Sequence, residues 1–268
     1  MEFPVLEETE FRQIRELMRR VSGITMADHK RQLVAGRLMK RVRTLACASF
    51  ADYVGILLAP ASEEERRLAV DLLTTNETYF FREEGHFQFL RQWLLQQGTV
   101  PSRFWSAACS SGEEVYSLAM LLSDVLPQSS WQLFGSDLCR HALQTAESAV
   151  YPLSRAEGIP VPWKKRYCLK GVGEMEGYLQ ICPALRRRAT FRCLNLNESL
   201  PRDWGQFEVI FLRNMLIYFD AQGKQKIVQG ILPHLSTKGL LFVGHSETLQ
   251  GLDLPLVPCG PSVYRRQA

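Results

Sequence analysis

From residue 103 onward, short apolar segments of strand length alternate with segments of helical periodicity. This order occurs twice, first over Arg103–Ala107, 113–125 and Gln132–Ser136, and again over Val209–Leu212, 221–236 and Gly239–Gly244. A strand, a crossover helix and a second strand form a parallel unit, because the helix carries the chain back to the edge where the first strand began. The alternation therefore predicts an α/β fold.

The first 70 residues carry helical patterns instead of this alternation. Apolar residues recur with helical spacing at Phe11, Ile14, Leu17 and Met18. Gly23 suits the end of that helix, and a second helix is predicted to begin near Asp28. A third is predicted over Phe50–Leu58, with Pro60 as its stop. We expect a small all-α N-terminal domain over 1–70.

Residues 151–190 interrupt the α/β alternation. This stretch has three closely spaced glycines, several prolines and the short strand candidates Tyr178–Cys182 and Ala189–Leu194. This composition predicts a small β-rich insertion in the α/β domain. Near the end of the chain, Ser262–Arg266 is expected to add an edge strand.

Composition excludes several classes of protein. Apolar residues make up 46% and charged residues 22% of the chain, which is the balance of a globular protein and not of a disordered one. The seven cysteines form no Cys-x-x-Cys pair, so we expect a reducing compartment, and neither a disulfide framework nor a metal site. No apolar run is long enough to span a bilayer, and the acidic N-terminus lacks the pattern of a signal peptide.

A run of small residues follows the strand Arg103–Ala107 and leads into a helix. A dinucleotide site would need Gly-x-Gly-x-x-Gly here, but the run contains only Gly112, and Glu113 and Glu114 come next. Two carboxylates would repel a phosphate and attract a cationic ligand such as the ammonium and sulfonium groups of S-adenosylmethionine. The alternative is an acidic pair that only stabilises the helix N-terminus.

Other candidate site residues lie near the ends of predicted strands. Asp137 follows a strand at the position where α/β nucleotide sites bind ribose hydroxyls. Taken alone, it could equally cap a helix that begins at His141, but the Gly112 loop upstream favours the ribose role. Arg213 and Asn214 follow Val209–Leu212 at the end where open sheets bind ligands.

The segment Leu73–Arg82 mixes amide and hydroxyl side chains with aromatic rings. Such a composition could close over an adenosine, or it could form an ordinary connection between domains with a buried aromatic cluster. Composition alone favours the second interpretation.

Residues 29–45 contain six Lys or Arg and no acidic residue. Lys30, Arg37 and Arg41 fall on one side of the predicted helix. This stripe is either a solvated face or a docking surface for an acidic partner. The net charge of only +4 argues against nucleic acid as that partner.

Five motifs occur in one order along the chain: Thr74–Arg82, Ala107–Glu114, Gly135–Leu138, Arg213–Asp220 and Gly244–Glu247. Together they resemble the chemotaxis receptor methyltransferases, the CheR-type protein-glutamate O-methyltransferases, over nearly the whole chain. Leu212 and Val115 depart from residues common in that family, but both are packing positions.

The resemblance implies a helical domain over 1–70, a linker and cofactor-covering segment over 71–100, and a class I methyltransferase domain over 101–268. This domain is a Rossmann-like α/β fold with a β-subdomain inserted at about 151–190. The implied cofactor is S-adenosylmethionine, with S-adenosylhomocysteine as its product. The cofactor-binding residues that it implies are Asn76, Thr78, Arg82, Glu114, Asp137, Asn195, Leu196, Arg213 and Asn214. Arg82 and Tyr218 match the pair expected beside the transferred methyl group.

The implied activity is direct S_N2 methyl transfer to glutamate side chains of a chemoreceptor. Lys30, Arg37, Lys40 and Arg41 would dock on the acidic helical coiled coil of the receptor's cytoplasmic region, and the β-subdomain is a candidate site for a receptor C-terminal peptide. We expect a cytoplasmic monomer that is recruited to receptor arrays without membrane insertion and does not bind nucleic acid.

Three rival functions remain at this stage. One is a methyltransferase of the same fold that acts on nucleic acid or a small molecule, although Arg213–Asp220 lacks the Pro-Pro-Tyr of amino-methyltransferases. A second is a non-catalytic sensor of S-adenosylmethionine. The third, an NAD-dependent dehydrogenase, is disfavoured by the missing glycine fingerprint.

Overall fold

The computed structural model describes residues 4–97 and 101–267. The chain forms two compact units: one extends to Thr75 and includes Tyr218–Gly223, and the other contains Asn76–Ile217 and the chain from Lys224 onward. The domain limits predicted above remain predictions, and residues 1–3, 98–100 and 268 of the predicted regions lie outside the described residues.

The first unit is built from four described helices: α1 (Glu8–Ser22), α2 (Arg31–Thr44), α3 (Phe50–Leu58) and α4 (Glu63–Leu73). The predicted apolar face of α1 is buried, and Gly23 ends the helix in the left-handed conformation, at φ 77°. Asp28 begins a short 3-10 turn, and α2 follows from Arg31. Ser49 and Asp52 form a reciprocal capping box that fixes the start of α3.

The remaining helices are α5 (Glu84–Leu95), α6 (Glu113–Val125), α7 (Arg140–Ser148), α8 (Val161–Tyr167), α9 (Pro183–Arg186) and α10 (Ala221–Ile231). The strands are β1 (Arg103–Ala107), β2 (Gln132–Asp137), β3 (Val150–Pro152), β4 (Cys168–Lys170), β5 (Tyr178–Ile181), β6 (Ala189–Cys193), β7 (Phe207–Leu212), β8 (Leu235–Val243), β9 (Leu256–Gly260) and β10 (Val263–Arg266).

A seven-stranded sheet with the order β6-β2-β1-β7-β8-β10-β9 forms the second unit's centre. The strands from β6 to β8 are parallel, and β10 runs antiparallel to both of its neighbours. The chain moves outward from β1 through β2 to β6 and then returns to β7 on the other side of β1. The carboxyl ends of β1 and β7 therefore border a topological switch point, where open α/β sheets bind ligands. This Rossmann-like arrangement confirms the predicted fold class.

Two details of the sequence prediction were wrong. Ala189–Leu194 was grouped with the inserted strands, but β6 pairs in parallel with β2, with Thr190 beside Phe134. The separate small sheet consists of β3, β5 and β4. The strand at Ser262–Arg266 was expected at an edge, whereas β10 lies between β8 and β9, and β9 is the outer strand.

The predicted linker contains regular structure that the sequence reading did not identify. Within it, α5 buries Phe87, Leu90 and Leu94 in the core of the second unit. Phe211 of β7 stacks on Phe242 of β8 in the same core, with ring centres 4.4 Å apart. In residues 4–97 and 101–267, no helix combines the length and apolar character needed to cross a bilayer.

Candidate functional site

The loop after β1 turns sharply before α6. Ala108, Ser110 and Gly112 all have positive φ, at 65°, 50° and 91°. A Cβ at Gly112 would lie 2.7 Å from the Cβ of Ala146 and 3.0 Å from the hydroxyl oxygen of Tyr151. Only glycine fits this position, both because of its backbone conformation and because of the close approach to α7.

The two glutamates that follow this loop have different environments. Glu113 is fully buried, accepts a hydrogen bond from the Ser111 hydroxyl at 2.8 Å and forms an ion pair with Arg155. Glu114 instead accepts hydrogen bonds from the Ser106 hydroxyl at 2.7 Å and from Arg213 at 3.1 Å. Burial raises the pKa of Glu114, and the positive charge of Arg213 and the Ser106 hydroxyl oppose that effect.

Asp137 ends β2 and joins two loops. Its Oδ2 accepts a hydrogen bond from the Ser110 N–H at 2.7 Å, and its Oδ1 accepts one from the Cys139 N–H at 2.9 Å. Helix α7 begins at Arg140 with Cys139 in the capping position, so Asp137 does not cap it as the alternative had suggested. A carboxylate only accepts hydrogen bonds, so this group is chemically suited to sugar hydroxyls.

Arg213 joins the ends of several elements. Its side chain is 1% exposed, and its Nη2 lies 3.0 Å from a carboxylate oxygen of Glu83 while its Nη1 lies 3.1 Å from one of Glu114. Nη2 also donates to the carbonyl of Arg82 at 2.5 Å. One buried guanidinium therefore connects the end of β7 with the starts of α5 and α6.

Sequence reasoning missed Glu83. Its carboxylate also accepts hydrogen bonds from the Asn214 side-chain amide at 3.0 Å and from the His245 N–H at 3.2 Å. Burial alone would raise the pKa of Glu83, but Asn214, the charge of Arg213 and the His245 N–H together lower it. No local pattern distinguishes this glutamate from Glu84, because its partners lie more than 100 residues away in sequence.

Glu247 was also missed as a structural residue, although it belongs to one of the quoted motifs. Its Oε2 accepts hydrogen bonds from the Gly244 N–H at 2.6 Å and the Asn214 N–H at 2.8 Å. Its Oε1 accepts one from the Ile217 N–H at 3.2 Å. These bonds fix Asn214 in a left-handed conformation, at φ 57°. The motif itself, with an acid three residues after a strand-end glycine, was the available signal.

His86 is a further buried group beside Glu83. Its Nδ1 lies 3.4 Å from a Glu83 oxygen, and its Nε2 lies 3.3 Å from the Pro261 carbonyl. Burial, followed by the nearby charge of Arg213, lowers the pKa of His86 to about 4. Although Glu83, His86 and His245 lie close enough to suggest metal ligands, Arg213 and Asn214 already occupy the Glu83 carboxylate and the guanidinium would repel a cation.

The turn between β1 and α6 that contains Gly112 is called the glycine loop below. The segment Asn76–Arg82 runs past this loop without regular secondary structure over most of its length. The Ser110 hydroxyl donates to the carbonyl of Asn76 at 3.1 Å, and Arg155 donates to the carbonyl of Thr78 at 3.3 Å. Arg82 donates to the carbonyl of Glu77 at 2.7 Å, and its guanidinium carbon lies 5.7 Å from the ring centre of Tyr79.

Asn195 and Leu196 follow β6 at the same sheet edge as Asp137. The Leu194 N–H donates to the Asp137 carbonyl at 3.0 Å, which brings the two strand ends together. Asn195 is half-buried and Leu196 is buried. The structure thus brings together most of the predicted cofactor residues along the carboxyl ends of β1, β2, β6 and β7.

Tyr218 belongs to the first unit. Its carbonyl accepts a hydrogen bond from the Thr25 N–H at 3.0 Å, and the ammonium of Lys30 lies 5.7 Å from its ring centre.

The predicted docking residues on α2 have specific partners in the first unit. Arg41 makes two hydrogen bonds to Glu65, at 3.0 and 2.5 Å, and Arg37 donates to the carbonyls of Leu73 and Thr74 at 3.0 and 2.9 Å. Lys40 is exposed. A solvated charge run therefore does not describe Arg37 and Arg41.

The chain matches the family described as "CheR methyltransferase, all-alpha domain" over residues 9–74 and that described as "CheR methyltransferase, SAM binding domain" over residues 76–259. A chemotaxis protein methyltransferase from Salmonella typhimurium is 37% identical, over 97% of this chain and 90% of its own. Chemotaxis protein methyltransferase 2 from Pseudomonas aeruginosa is 38% identical, over 95% and 92% of the two chains.

Proposed function

The chain belongs to the CheR methyltransferase family and has a domain that binds S-adenosylmethionine, and from this premise we propose that it methylates glutamate side chains of a chemoreceptor. Its curated relatives are named for chemotaxis, and the acceptor is inferred from the family resemblance. The observation that best supports the proposal is the polar cluster around Arg213. Within it, the Glu114 carboxylate accepts one hydrogen bond on each oxygen, from Ser106 and from Arg213, and keeps acceptor capacity for a ligand. The loop that precedes Glu114 lacks the glycine fingerprint for a pyrophosphate.

The proposed cofactor site fits S-adenosylmethionine chemically. Glu114 would face the ammonium of the methionine part, and Asp137 would accept the ribose hydroxyls. Gly112 packs against Ala146 and Tyr151, and this close packing fixes the turn between β1 and α6. Asn195 and Leu196 would lie on the adenine side, and the remaining contacts would come from Asn76, Thr78, Arg82, Arg213 and Asn214.

The proposed reaction needs no general base from this chain. S-adenosylmethionine supplies an electrophilic methyl group whose transfer from sulfur to oxygen leaves a neutral thioether. A glutamate with a pKa of about 4.3 is already ionised near neutral pH, so no proton has to be removed. We assign Arg82 to orienting the acceptor carboxylate, and the family resemblance implies a catalytic role for Tyr218. Alignment and exclusion of water would then supply most of the rate.

The proposed docking surface consists of Lys30, which directly precedes α2, and of Arg37, Lys40 and Arg41 on the basic side of α2. An acidic helical surface of the receptor is the partner that its charge fits. Arg37 and Arg41 are already held by internal hydrogen bonds, so little side-chain freedom would be lost when they bind. The outer strands β3 and β4 of the small sheet offer edges to which a receptor C-terminal peptide could add as a strand. We place the enzyme in the cytoplasm at receptor arrays.

The test is a transfer assay with methyl-labelled S-adenosylmethionine and membranes that contain candidate chemoreceptors. Glutamate methyl esters release methanol in alkali, so we expect base-labile label on the receptor. Arg82→Ala should abolish the label and change S-adenosylhomocysteine affinity much less. Base-stable label on another acceptor would refute the glutamate assignment, and normal cofactor binding without transfer to any receptor would favour a sensor.

A further inference from the structure

A turn of the insertion touches the middle of Asn76–Arg82, the part of the predicted linker that is called the covering segment from here on. This turn, Leu153–Ala156, follows β3. The Nη2 of Arg155 donates to the Thr78 carbonyl at 3.3 Å and to the Ser111 hydroxyl at 3.1 Å, and the same guanidinium forms an ion pair with Glu113. One side chain therefore joins the covering segment, the glycine loop and the first residue of α6.

Two neighbours of Arg155 hold the same region. The Tyr151 hydroxyl donates to the Ser111 carbonyl at 2.7 Å, and its ring lies edge-on to that of Phe80 with centres 5.1 Å apart. A Cβ at Gly158 would collide with the carbonyl oxygen of Phe80. The insertion thus packs directly against the covering segment, and Arg155 is its polar contact to Thr78.

The covering segment has few other anchors between its ends. The Ser110 hydroxyl donates a hydrogen bond to the Asn76 carbonyl, and the Ser117 hydroxyl accepts one from the Phe81 N–H at 2.9 Å. Thr78 lies between these points in an irregular, half-buried stretch. Loss of the Arg155 contact would release backbone freedom that ligand binding must then remove, and this ordering lowers affinity.

We propose that Arg155 is a positioning residue for the cofactor, which holds the segment Asn76–Arg82 in its binding conformation through Thr78, Ser111 and Glu113. The proposal rests on the proposed role of Asn76, Thr78 and Arg82 in cofactor binding. It does not depend on which acceptor is methylated, because its readout is the binding of S-adenosylhomocysteine alone.

A purely structural role for Arg155 would be to neutralise the buried Glu113. Any cation would serve that role, so Arg155→Lys would then behave like wild type. All three contacts of Arg155 come from its Nη2, and the shorter, flexible stem of lysine would bring an ammonium to that point less well. Positioning therefore predicts a graded loss of affinity, smaller for Arg155→Lys and largest for Arg155→Ala.

The experiment measures S-adenosylhomocysteine affinity by calorimetry and amide hydrogen exchange over residues 76–82 in the full chain. We expect about tenfold weaker binding for Arg155→Ala, a smaller loss for Arg155→Lys, and faster exchange in the covering segment of both. The control is Arg187→Ala, which removes an exposed arginine from the end of the insertion and should leave both readouts unchanged.

Thermal unfolding without ligand separates positioning from loss of fold. If Arg155→Ala does not fold, Arg155→Lys with an unchanged melting temperature carries the test. The proposal would be overturned if the folded variants Arg155→Lys and Arg155→Ala both showed wild-type affinity and wild-type exchange. It would also be overturned if Arg155→Ala lost no more affinity than Arg187→Ala does.

Discussion

Arg213 is the residue on which the polar site depends most. Its guanidinium is 1% exposed and has Glu83 and Glu114 as carboxylate partners. Its position after a buried strand could be read from the sequence, but its pairing with Glu83 could not, because 130 residues separate them. The contact depends on the sheet order, which brings the end of β7 to the start of α5.

We predict that Arg213→Met destabilises the protein strongly. The substitution leaves two carboxylates without their buried cation, for which a loss of about 3 kcal/mol in the free energy of unfolding is typical. Urea unfolding measures it. Arg91→Met is the matched control. Its ion pair with Asp124 reaches solvent, with 45% of the arginine side chain accessible, so the substitution should cost less than about 1 kcal/mol. Equal losses for the two variants would contradict the role of Arg213.

Because His86 is buried with a lowered pKa, we predict that the free energy of unfolding depends on pH. The pKa of His86 is about 4 in the folded protein and near its ordinary value of 6.5 when unfolded. Above pH 6.5 the imidazole is neutral in both the folded and the unfolded state. Between pH 6.5 and 4 the unfolded state binds a proton and the folded state does not. Stability should therefore fall across this window, by about 2 kcal/mol between pH 7.5 and 5.

The variant His86→Phe isolates this effect. It should lose less stability than wild type over the same change in pH, whatever its stability at pH 7.5. Urea midpoints at the two pH values measure the difference. An identical pH dependence in the two proteins would show that other groups cause the decline.

At the scale of secondary structure, the glycine loop between β1 and α6 sets the geometry of the proposed cofactor site. Strand β1 and helix α6 were predicted at their observed bounds because a compact apolar run and a glycine-acid start mark them clearly. Strand β6 was assigned to the wrong sheet because three of its five residues are exposed and its pattern resembles that of a surface strand. Its pairing with β2 is a property of the tertiary fold.

We predict that Gly112→Ala weakens both stability and S-adenosylhomocysteine binding. The new Cβ would meet Ala146 at 2.7 Å in addition to the cost of a positive φ. Gly251→Ala is the matched control, since its φ of 83° carries the same backbone cost and no atom lies within 4 Å of its Cβ. We expect a loss of about 1 kcal/mol for the control and clearly more for Gly112→Ala. Thermal unfolding and calorimetry would contradict this account if the two variants behaved alike.

At the scale of the whole molecule, the net charge is only +4, so a charged partner has to be recognised by a local patch of charged residues and not by the overall charge. The family assignment and the cofactor could be predicted from five motifs distributed along the chain. The internal partners of the basic residues could not be predicted. Nothing in the sequence indicates that Glu65 binds Arg41 or that the end of α4 binds Arg37. These contacts leave Lys40 as the exposed charge that most directly tests docking.

We predict that Lys40→Ala slows association with a chemoreceptor and leaves S-adenosylhomocysteine affinity unchanged. Charge attraction raises association rates and is screened by salt, so wild-type association should fall as salt rises and the variant should be less sensitive. Surface plasmon resonance at two salt concentrations measures both effects. Arg20→Ala removes an exposed charge from α1 and serves as the control. Indistinguishable rates for the two variants would exclude Lys40 from the docking surface.

Glutamate methylation of a chemoreceptor is the central claim, and mass spectrometry of the modified receptor tests it most directly. A purified receptor cytoplasmic fragment is incubated with the enzyme and S-adenosylmethionine, digested and mapped. The account predicts the added mass of one methylene on glutamate side chains, removed by mild alkali and absent with Arg82→Ala. Methylation confined to other side chains, or stable to alkali, would contradict it.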